Sequence, residues 1–122
     1  MVQLQGLGQI ALTVSDVEAS TKFYRDVLSL PFLFAAGPSL AFFDLGSVRL
    51  MLTAPENGST LQNSVLYYRC SNLDAAYQAL VGSAEVIDAP HLIAKMPDHE
   101  LWMFFIRDPD GNLIGLMEER RT

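Results

Sequence analysis

Two histidines are the first residues of this chain to consider for chemistry. His91 and His99 lie eight residues apart around the segment 96–98, and Asp98 and Glu100 add carboxylates nearby. Imidazole and carboxylate groups can together bind a divalent metal, but a metal site inferred from sequence needs a known ligand spacing, which this pair lacks. We therefore expect two surface histidines on a hairpin rather than a metal centre.

The single cysteine does not suggest a nucleophile. Cys70 cannot form an internal disulfide, and it lies in mid-strand with no helix N-terminus or arranged basic residue to lower its pKa. Its neighbour Arg69 points to the opposite face, because adjacent strand residues alternate. We expect a small buried side chain at Cys70. The residues predicted below to line the ligand pocket supply no nucleophile–base pair and no paired carboxylates, so we name no catalytic residue.

The elements that would position these residues form a unit that occurs twice. Residues 10–19 (IALTVSDVEA) are matched 56 residues later by residues 66–75 (LYYRCSNLDA). Each copy is a strand followed by a helix, with a capping box of Ser15 and Glu18 in the first copy and Asn72 as the N-cap in the second. Further strands are predicted at 32–36, 40–45, 48–54, 91–96, 100–107 and 113–119, with a tight turn at 108–112. The fold class is therefore α+β, built from two βαβββ modules.

Length and composition describe one globular domain. We assign a single domain to residues 1–122, with module 1 at about 5–54, a linker at 55–64 and module 2 at about 65–120. The net charge of −6 argues against nucleic acid as a partner and leaves room for a cationic one. No apolar stretch approaches the roughly 20 residues of a membrane span, and the start of the chain has no basic leader. We expect a cytoplasmic protein without a membrane partner.

Three segments give the chain a family resemblance. It resembles the vicinal oxygen chelate superfamily, which includes glyoxalase I, extradiol dioxygenases and the fosfomycin and bleomycin resistance proteins. The resemblance covers essentially the whole chain and rests on residues 10–16 (IALTVSD), on Phe23 and Tyr24 followed by Val27 and Leu28, and on residues 107–114 (RDPDGNLI). It implies the glyoxalase/bleomycin-resistance fold, in which the modules curl a mixed sheet into a cup that holds the ligand.

The resemblance also implies where a metal would bind. Metal-using members take ligands from the first and last strands of each half, and the matching positions here are Gln9, Met51, Val65 and Gly115. An amide oxygen is a weak ligand, a thioether suits Cu(I), and valine and glycine offer no donor. Replacing Gly115 by Glu118 would shift the strand register by three residues and reverse its faces. We therefore expect no metal and no other cofactor, as in the bleomycin-resistance-like branch.

The same positions predict the lining of a small-molecule pocket. Such pockets combine apolar and aromatic walls with a few polar groups. The facing of strands 32–36, 40–45 and 100–107 is not settled by the sequence, and core roles for Val65 and Trp102 stay open. The predicted cup residues are Gln9, Arg49, Met51, Val65, Tyr67, Trp102, Phe104 and Gly115.

Two functions from different classes fit this sequence. The favoured one is metal-independent binding and sequestration of a small molecule, an antibiotic or another cationic or aromatic ligand. The alternative is a lyase, isomerase or dioxygenase of the same superfamily, with relocated metal ligands or metal-free chemistry. A homodimer is expected in either case, because each half presents sheet edges that need cover. The modules pair within one chain or swap between two.

Overall fold

The described part of the chain forms two compact units. The computed structural model describes residues 2–3, 5–55 and 63–121, and the units divide between Asn63 and Ser64. Most of the predicted linker 55–64 lies outside the described residues. Each unit contains one mixed sheet with a short helix, which confirms the α+β class.

The first unit is a four-stranded sheet with one helical segment. Its strands are β1 (Gln9–Thr13), β2 (Phe32–Ala35), β3 (Leu40–Asp44) and β4 (Arg49–Thr53). Their order across the sheet is β1-β4-β3-β2, with β1 and β4 parallel and the other pairs antiparallel. The helix α1 (Val17–Lys22) connects β1 to β2 and continues into a π-helical turn, Phe23–Val27. The strands agree with the sequence prediction to within a residue or two at each end.

The predicted cap of α1 is wrong by one residue. Asp16, not Ser15, is the N-cap: its backbone is extended and its carboxylate accepts the N–H of Ala19 at 3.1 Å. A carboxylate in this position also interacts favourably with the positive end of the helix dipole. The helical segment ends at Val27, ahead of Pro31, and Ser29 adopts a positive φ of 58°.

The core of the first unit lies between α1 and one face of its sheet. Strand alternation turns Leu12, Leu50 and Leu52 to this face, and all three are buried. Phe43 lies on the same face and is fully buried against Tyr24, with 6.3 Å between the ring centroids. Complete burial of such side chains contributes roughly 1.5–3 kcal/mol each to stability.

The second unit repeats this plan with a longer sheet. Its elements are β5 (Leu66–Arg69), α2 (Leu73–Leu80), β6 (Glu85–Val86), β7 (His91–Lys95), β8 (His99–Arg107) and β9 (Leu113–Arg121). The path across the sheet is β5-β9-β8-β6, and β7 also pairs with β8; only β5 and β9 are parallel. The two-residue β6 was not predicted, since two residues are too few to show a periodic pattern.

The predicted helix cap and the predicted tight turn of the second unit are both confirmed. Asn72 caps α2 by accepting the N–H of Ala75 at 3.1 Å. The buried carboxylate of Asp108 accepts the N–H groups of Asp110 and Asn112 at 2.9 and 2.8 Å, and Gly111 has the expected positive φ. This network fixes the turn that joins β8 to β9 and therefore sets their register.

The core of the second unit lies between α2 and one face of its sheet. Four residues of β8 and β9 fill it: Phe104, Ile106, Ile114 and Leu116. Tyr77 of α2 meets the Phe104 ring edge-on at 5.4 Å. None of the helices in the described ranges is long and apolar enough to cross a bilayer.

Candidate functional site

Each sheet has a second face that its own helix does not cover, here called the open face of that sheet. In the first sheet the register aligns Gln9 with Arg49, Ala11 with Met51, and Met51 with Phe42. These residues alternate with the buried leucines, so they share the open face.

A hydrogen-bonded group occupies the start of β1 and β4 on this face. The Arg49 Nε donates to Gln9 Oε1 at 2.9 Å, and the Gln9 Nε2 donates to the Met51 sulfur at 3.6 Å. The Arg49 guanidinium lies over the Phe42 ring, with 5.0 Å between Cζ and the centroid. Gln9, Arg49 and Met51, which were predicted to line one cup, are thus brought together within this unit.

A pair of phenylalanine rings forms the apolar wall of the same face. Phe34 stacks on Phe42 with 4.7 Å between centroids and a 30° interplanar angle. The pairing of β2 with β3 shifts register at Leu33, so Phe32 pairs with Phe43 and Phe34 pairs with Phe42. This bulge answers the question of facing that the sequence left open: Phe34 and Phe42 lie on the open face, while Phe32 and Phe43 lie on the helix side.

On the open face of the second sheet, an aromatic side chain fills the space beside Gly115. Tyr67 lies directly opposite Gly115 in the parallel register, and Phe105 lies opposite it on the other side. A Cβ added to Gly115 would be 2.5 Å from Tyr67 Cδ2 and 3.2 Å from Phe105 Cε2. The two rings meet edge-on at 5.8 Å, and Tyr67 remains 51% exposed. Glycine is needed here because the Tyr67 ring lies over its backbone.

Val65 is another predicted cup position of this unit. It precedes β5 and is 39% exposed, so it does not fill a core within the described residues. Val65 directly precedes β5, which runs parallel to the strand of Gly115, whereas Gln9 and Met51 both lie within the parallel strands of the first unit. The convergence of these two pairs on one cavity stays a prediction.

The assignment of Trp102 and Phe104 to the cup is wrong. Phe104 is fully buried against α2, on the face opposite to Tyr67 and Gly115. Trp102 alternates onto the same helix side, where Arg120 lies 4.4 Å over its ring and its indole N–H donates to Glu100 at 3.0 Å. Because strand residues alternate, the open face of β8 is formed instead by the odd-numbered residues.

The sequence reasoning missed Phe105 and Met103 on that face. Phe105 is paired with Gly115 and Met103 with Met117. The sequence contains the information needed to find them. If the strands on either side of the Asp108 turn pair regularly, Phe105 lies opposite Gly115, and directly opposed residues share a face.

The residues at the four family metal positions do not fit a divalent metal. The Gln9 oxygen already accepts a hydrogen bond from a guanidinium, whose positive charge would repel a cation. Met51 offers only a soft sulfur, Val65 has no donor, and the space at Gly115 is filled by the Tyr67 ring. Across residues 2–3, 5–55 and 63–121, no group of three or more His, Cys, Asp or Glu side chains is arranged to bind a metal. Glu118 does not replace Gly115, since it points to the helix side and accepts the N–H of Leu73 at 2.9 Å.

The two histidines lie apart on the β7–β8 hairpin. His91 is opposite Met103, four residues along β8 from His99, which is about 13 Å at the rise of a strand. His99 instead contacts Asp98, with Nδ1 2.7 Å from Oδ1, and this hydrogen bond is the main cause of a lowered Asp98 pKa. Arg121 also donates to Asp98 at 2.8 Å, so the pair belongs to a charged cluster at the end of the hairpin.

Two groups near β5 have raised pKa values. Burial is the main cause at Cys70, and the negative charge of Glu118 adds to it; the thiol lies 3.7 Å from the Met117 carbonyl oxygen. Burial also raises the pKa of Tyr68 to about 12, with a smaller contribution from Asp108. The Tyr68 hydroxyl is buried and has no hydrogen-bond partner within the described part of the chain. Both groups are neutral at pH 7, which fits structural roles better than nucleophilic ones.

A separate cleft of about 400 Å³ lies between α1 and the β2–β3 hairpin. The cations at its rim are paired on the helix surface, Lys22 with Glu18 at 3.8 Å and Arg25 with Asp26 at 2.8 Å. This cleft is on the helix side of the sheet, away from the Gln9–Arg49 group. It therefore adds nothing to the open face.

The doubled βαβββ plan and the positions of these residues define a known class of protein. Residues 6–116 match the family model of the Glyoxalase/Bleomycin resistance protein/Dioxygenase superfamily. The chain belongs to this superfamily.

Solved structures agree with this assignment. A lactoylglutathione lyase from Agrobacterium tumefaciens is 22% identical, with 95% of each chain covered and a TM-score of 0.73. A superfamily member from Sphaerobacter thermophilus is 20% identical with a TM-score of 0.76, covering 95% of this chain and 98% of that one. An integron cassette protein from the mobile metagenome of V. cholerae is 22% identical with a TM-score of 0.73, covering 97% and 98%. At these identities the likeness is one of fold.

Proposed function

We propose that this protein binds and sequesters a small molecule on the open face of a sheet, without a metal ion and without transforming it. The observation that carries the proposal is the set of side chains at the family metal positions. Their one hard donor, the Gln9 oxygen, is engaged by Arg49, while Gly115 is covered by Tyr67. The same faces carry exposed or half-buried aromatic and thioether groups, which are typical of ligand pockets.

Catalysis is less well supported than binding. A superfamily enzyme without a metal needs a general acid or base near the bound substrate. The histidine with the closest carboxylate in the described chain is His99, and it lies six residues along β8 from Phe105, about 20 Å away. His91 is nearer, since it pairs with Met103 on the open face, and its Nδ1 lies 2.9 Å from the Ala89 carbonyl oxygen and 3.6 Å from the Asp88 carboxylate. The Tyr68 and Cys70 side chains are held neutral. Binding is favoured because the other open-face residues described above are aromatic, thioether, amide and arginine side chains, which suit contact with a ligand better than proton transfer.

A thermal-shift screen on chelator-treated protein tests the proposal. Antibiotics and other aromatic compounds are screened with and without EDTA, and a ligand at 100 times its Kd is expected to stabilise the folded state by about 2.7 kcal/mol. Tyr67→Leu should reduce the shift, whereas Tyr77→Leu, a matched change on the helix side, should lower the melting temperature but retain the ligand-induced shift. A hit that is consumed and released as product would contradict sequestration.

We also propose that the protein is a homodimer. The edge strand β2 carries the exposed apolar residues Phe32, Leu33 and Phe34, at 38%, 46% and 47%. Unpaired edges with apolar side chains favour association with another copy. Light scattering after gel filtration should give twice the monomer mass, and Leu33→Lys should shift the protein toward monomer. A monomeric native protein would contradict this proposal.

A further inference from the structure

Arg49 is held in place by two neighbours that leave most of its donors unused. Its Nε donates to Gln9 Oε1 at 2.9 Å, and its guanidinium lies 5.0 Å over the Phe42 ring. Gln9 is itself oriented by its contact with the Met51 sulfur. An arginine fixed in this way loses less side-chain entropy when it binds a ligand than a freely rotating one.

The outer edge of the guanidinium is open to a partner. Within the described residues, no ion pair and no hydrogen bond engages the Nη groups of Arg49. Its cross-strand neighbour Asp44 is the acidic residue paired with it in register, and the Asp44 Oδ1 accepts the N–H of Gly46 at 2.8 Å. Arg49 also lines an open cleft of about 300 Å³ at the start of β4, together with Leu33 and Asp44.

Two parallel N–H donors are suited to a planar oxyanion. Arginine binds carboxylate and phosphate groups through two hydrogen bonds, and such charge-assisted bonds are stronger than neutral ones. The exposed Phe34 ring, which packs on the buried Phe42, and the Met51 side chain lie on the same face as the guanidinium and would contact the apolar part of the same molecule. The group therefore combines an anion anchor with an apolar wall.

We propose that Arg49 anchors the carboxylate or phosphate of a small molecule whose flat apolar body packs against the exposed Phe34 ring. This inference rests on the proposed binding function and adds the charge of the ligand. The net charge of −6 suggests a cationic ligand, but Arg49 places a positive charge on this open face, and the neighbouring Asp44 carboxylate accepts the Gly46 N–H instead of pairing with the guanidinium. Local charge decides recognition at contact distance, because charges more than about 8–10 Å away are largely screened by physiological salt.

Four probes of similar size test the inference by NMR titration of the 15N-labelled protein in phosphate-free buffer. Benzoate and phenyl phosphate carry the two oxyanions, benzyl alcohol is neutral, and benzylamine is cationic. We expect the oxyanions to shift the Arg49 Nε–H and Phe42 signals and to bind about tenfold more tightly than benzyl alcohol, the effect of a charge-assisted hydrogen bond. The ratio of benzoate to phenyl phosphate affinity tells which oxyanion is preferred.

Two variants remove or neutralise the positive charge of Arg49 without changing a core residue. Arg49→Gln removes the anchor, and Gln9→Glu places a carboxylate on the guanidinium; each should reduce oxyanion affinity about tenfold and change benzyl alcohol affinity less than twofold. Arg25→Gln is the matched control, since Arg25 is an exposed arginine paired with Asp26 on the helix surface.

The outcomes separate this inference from the binding function. Equal affinities for benzoate, benzyl alcohol and benzylamine, unchanged by Arg49→Gln, would overturn the anion anchor and leave small-molecule binding intact. Tighter binding of benzylamine would also overturn it. Absence of binding by all four probes at millimolar concentration would count against both the anchor and the proposed function.

Discussion

Replacement of Gly115 by alanine tests the close contact that defines the second open face. The added Cβ would lie 2.5 and 2.8 Å from two carbons of the Tyr67 ring, whereas carbon atoms pack at about 3.5–4.0 Å. The ring must therefore move by about 1 Å or turn outward. Overpacking of this kind costs roughly 1–3 kcal/mol, and turning outward loses the edge-on contact with Phe105, worth about 0.5–1.5 kcal/mol.

We expect Gly115→Ala to lower the free energy of unfolding by about 1–2 kcal/mol. This value is in the lower part of the range given for overpacking, because Tyr67 is half exposed and can rotate toward solvent. In a Tyr67→Ala background the clash is absent, so the same substitution should be neutral, or stabilising by roughly 0.5 kcal/mol because glycine is unfavourable in a strand. The coupling energy between the two sites should thus be at least about 1 kcal/mol.

Urea unfolding of the four proteins of this double-mutant cycle, followed by circular dichroism, measures that coupling. Gly82→Ala is the control, since nothing lies within 4 Å of a Cβ at Gly82. It should leave stability unchanged or slightly raised. An equal cost of Gly115→Ala with and without the Tyr67 ring would refute the claim that Tyr67 occupies this space.

Further predictions concern the two groups with raised pKa values. Tyr68→Phe should leave the free energy of unfolding at pH 7 unchanged or raise it by about 1 kcal/mol, because the buried hydroxyl has no hydrogen-bond partner in the described chain. A loss of more than about 1 kcal/mol in urea unfolding would contradict this, since it would show that the hydroxyl is hydrogen-bonded. The folded-state pKa of Tyr68 is about 12, above its ordinary value of 10. The contribution of the neutral Tyr68 side chain to the free energy of unfolding is therefore complete below pH 10 and is lost as the pH rises through 12. By pH 12 the wild type should lose about 2 kcal/mol more than Tyr68→Phe, and parallel pH profiles of the two proteins would contradict this. Cys70 should react with a thiol reagent at pH 8 at least about tenfold more slowly than free glutathione, because its thiol is partly buried and its pKa is raised. Reaction at the rate of glutathione would contradict this, since it would show an exposed thiolate.

The fold could be predicted from the sequence because its signals are local and repeated. Strand alternation, the Asn72 cap and the Asp108 turn each depend on a few adjacent residues, and each agrees with the structure. The Ser15 cap failed because Ser15 and Asp16 are both good N-cap residues, and the choice depends on which one leaves the strand in the right orientation.

The site was only partly predictable, because facing depends on register. Arg49 was placed correctly, since β4 alternates without interruption from a position fixed by the repeat. Trp102 and Phe104 were placed on the wrong face because the register of β8 was not counted from the Asp108 turn. The Leu33 bulge, which separates the faces of Phe32 and Phe34, has no signal in the residue types alone.

The metal positions carry the central claim, so the metal content of the purified protein is its most direct test. Elemental analysis of protein prepared without chelator, from medium supplemented with zinc, nickel, manganese and iron, should give well under 0.1 metal ion per chain. Ligand binding by the same preparation should be unchanged by EDTA. One tightly held metal ion per chain, lost together with ligand binding on chelation, would contradict metal-independent binding.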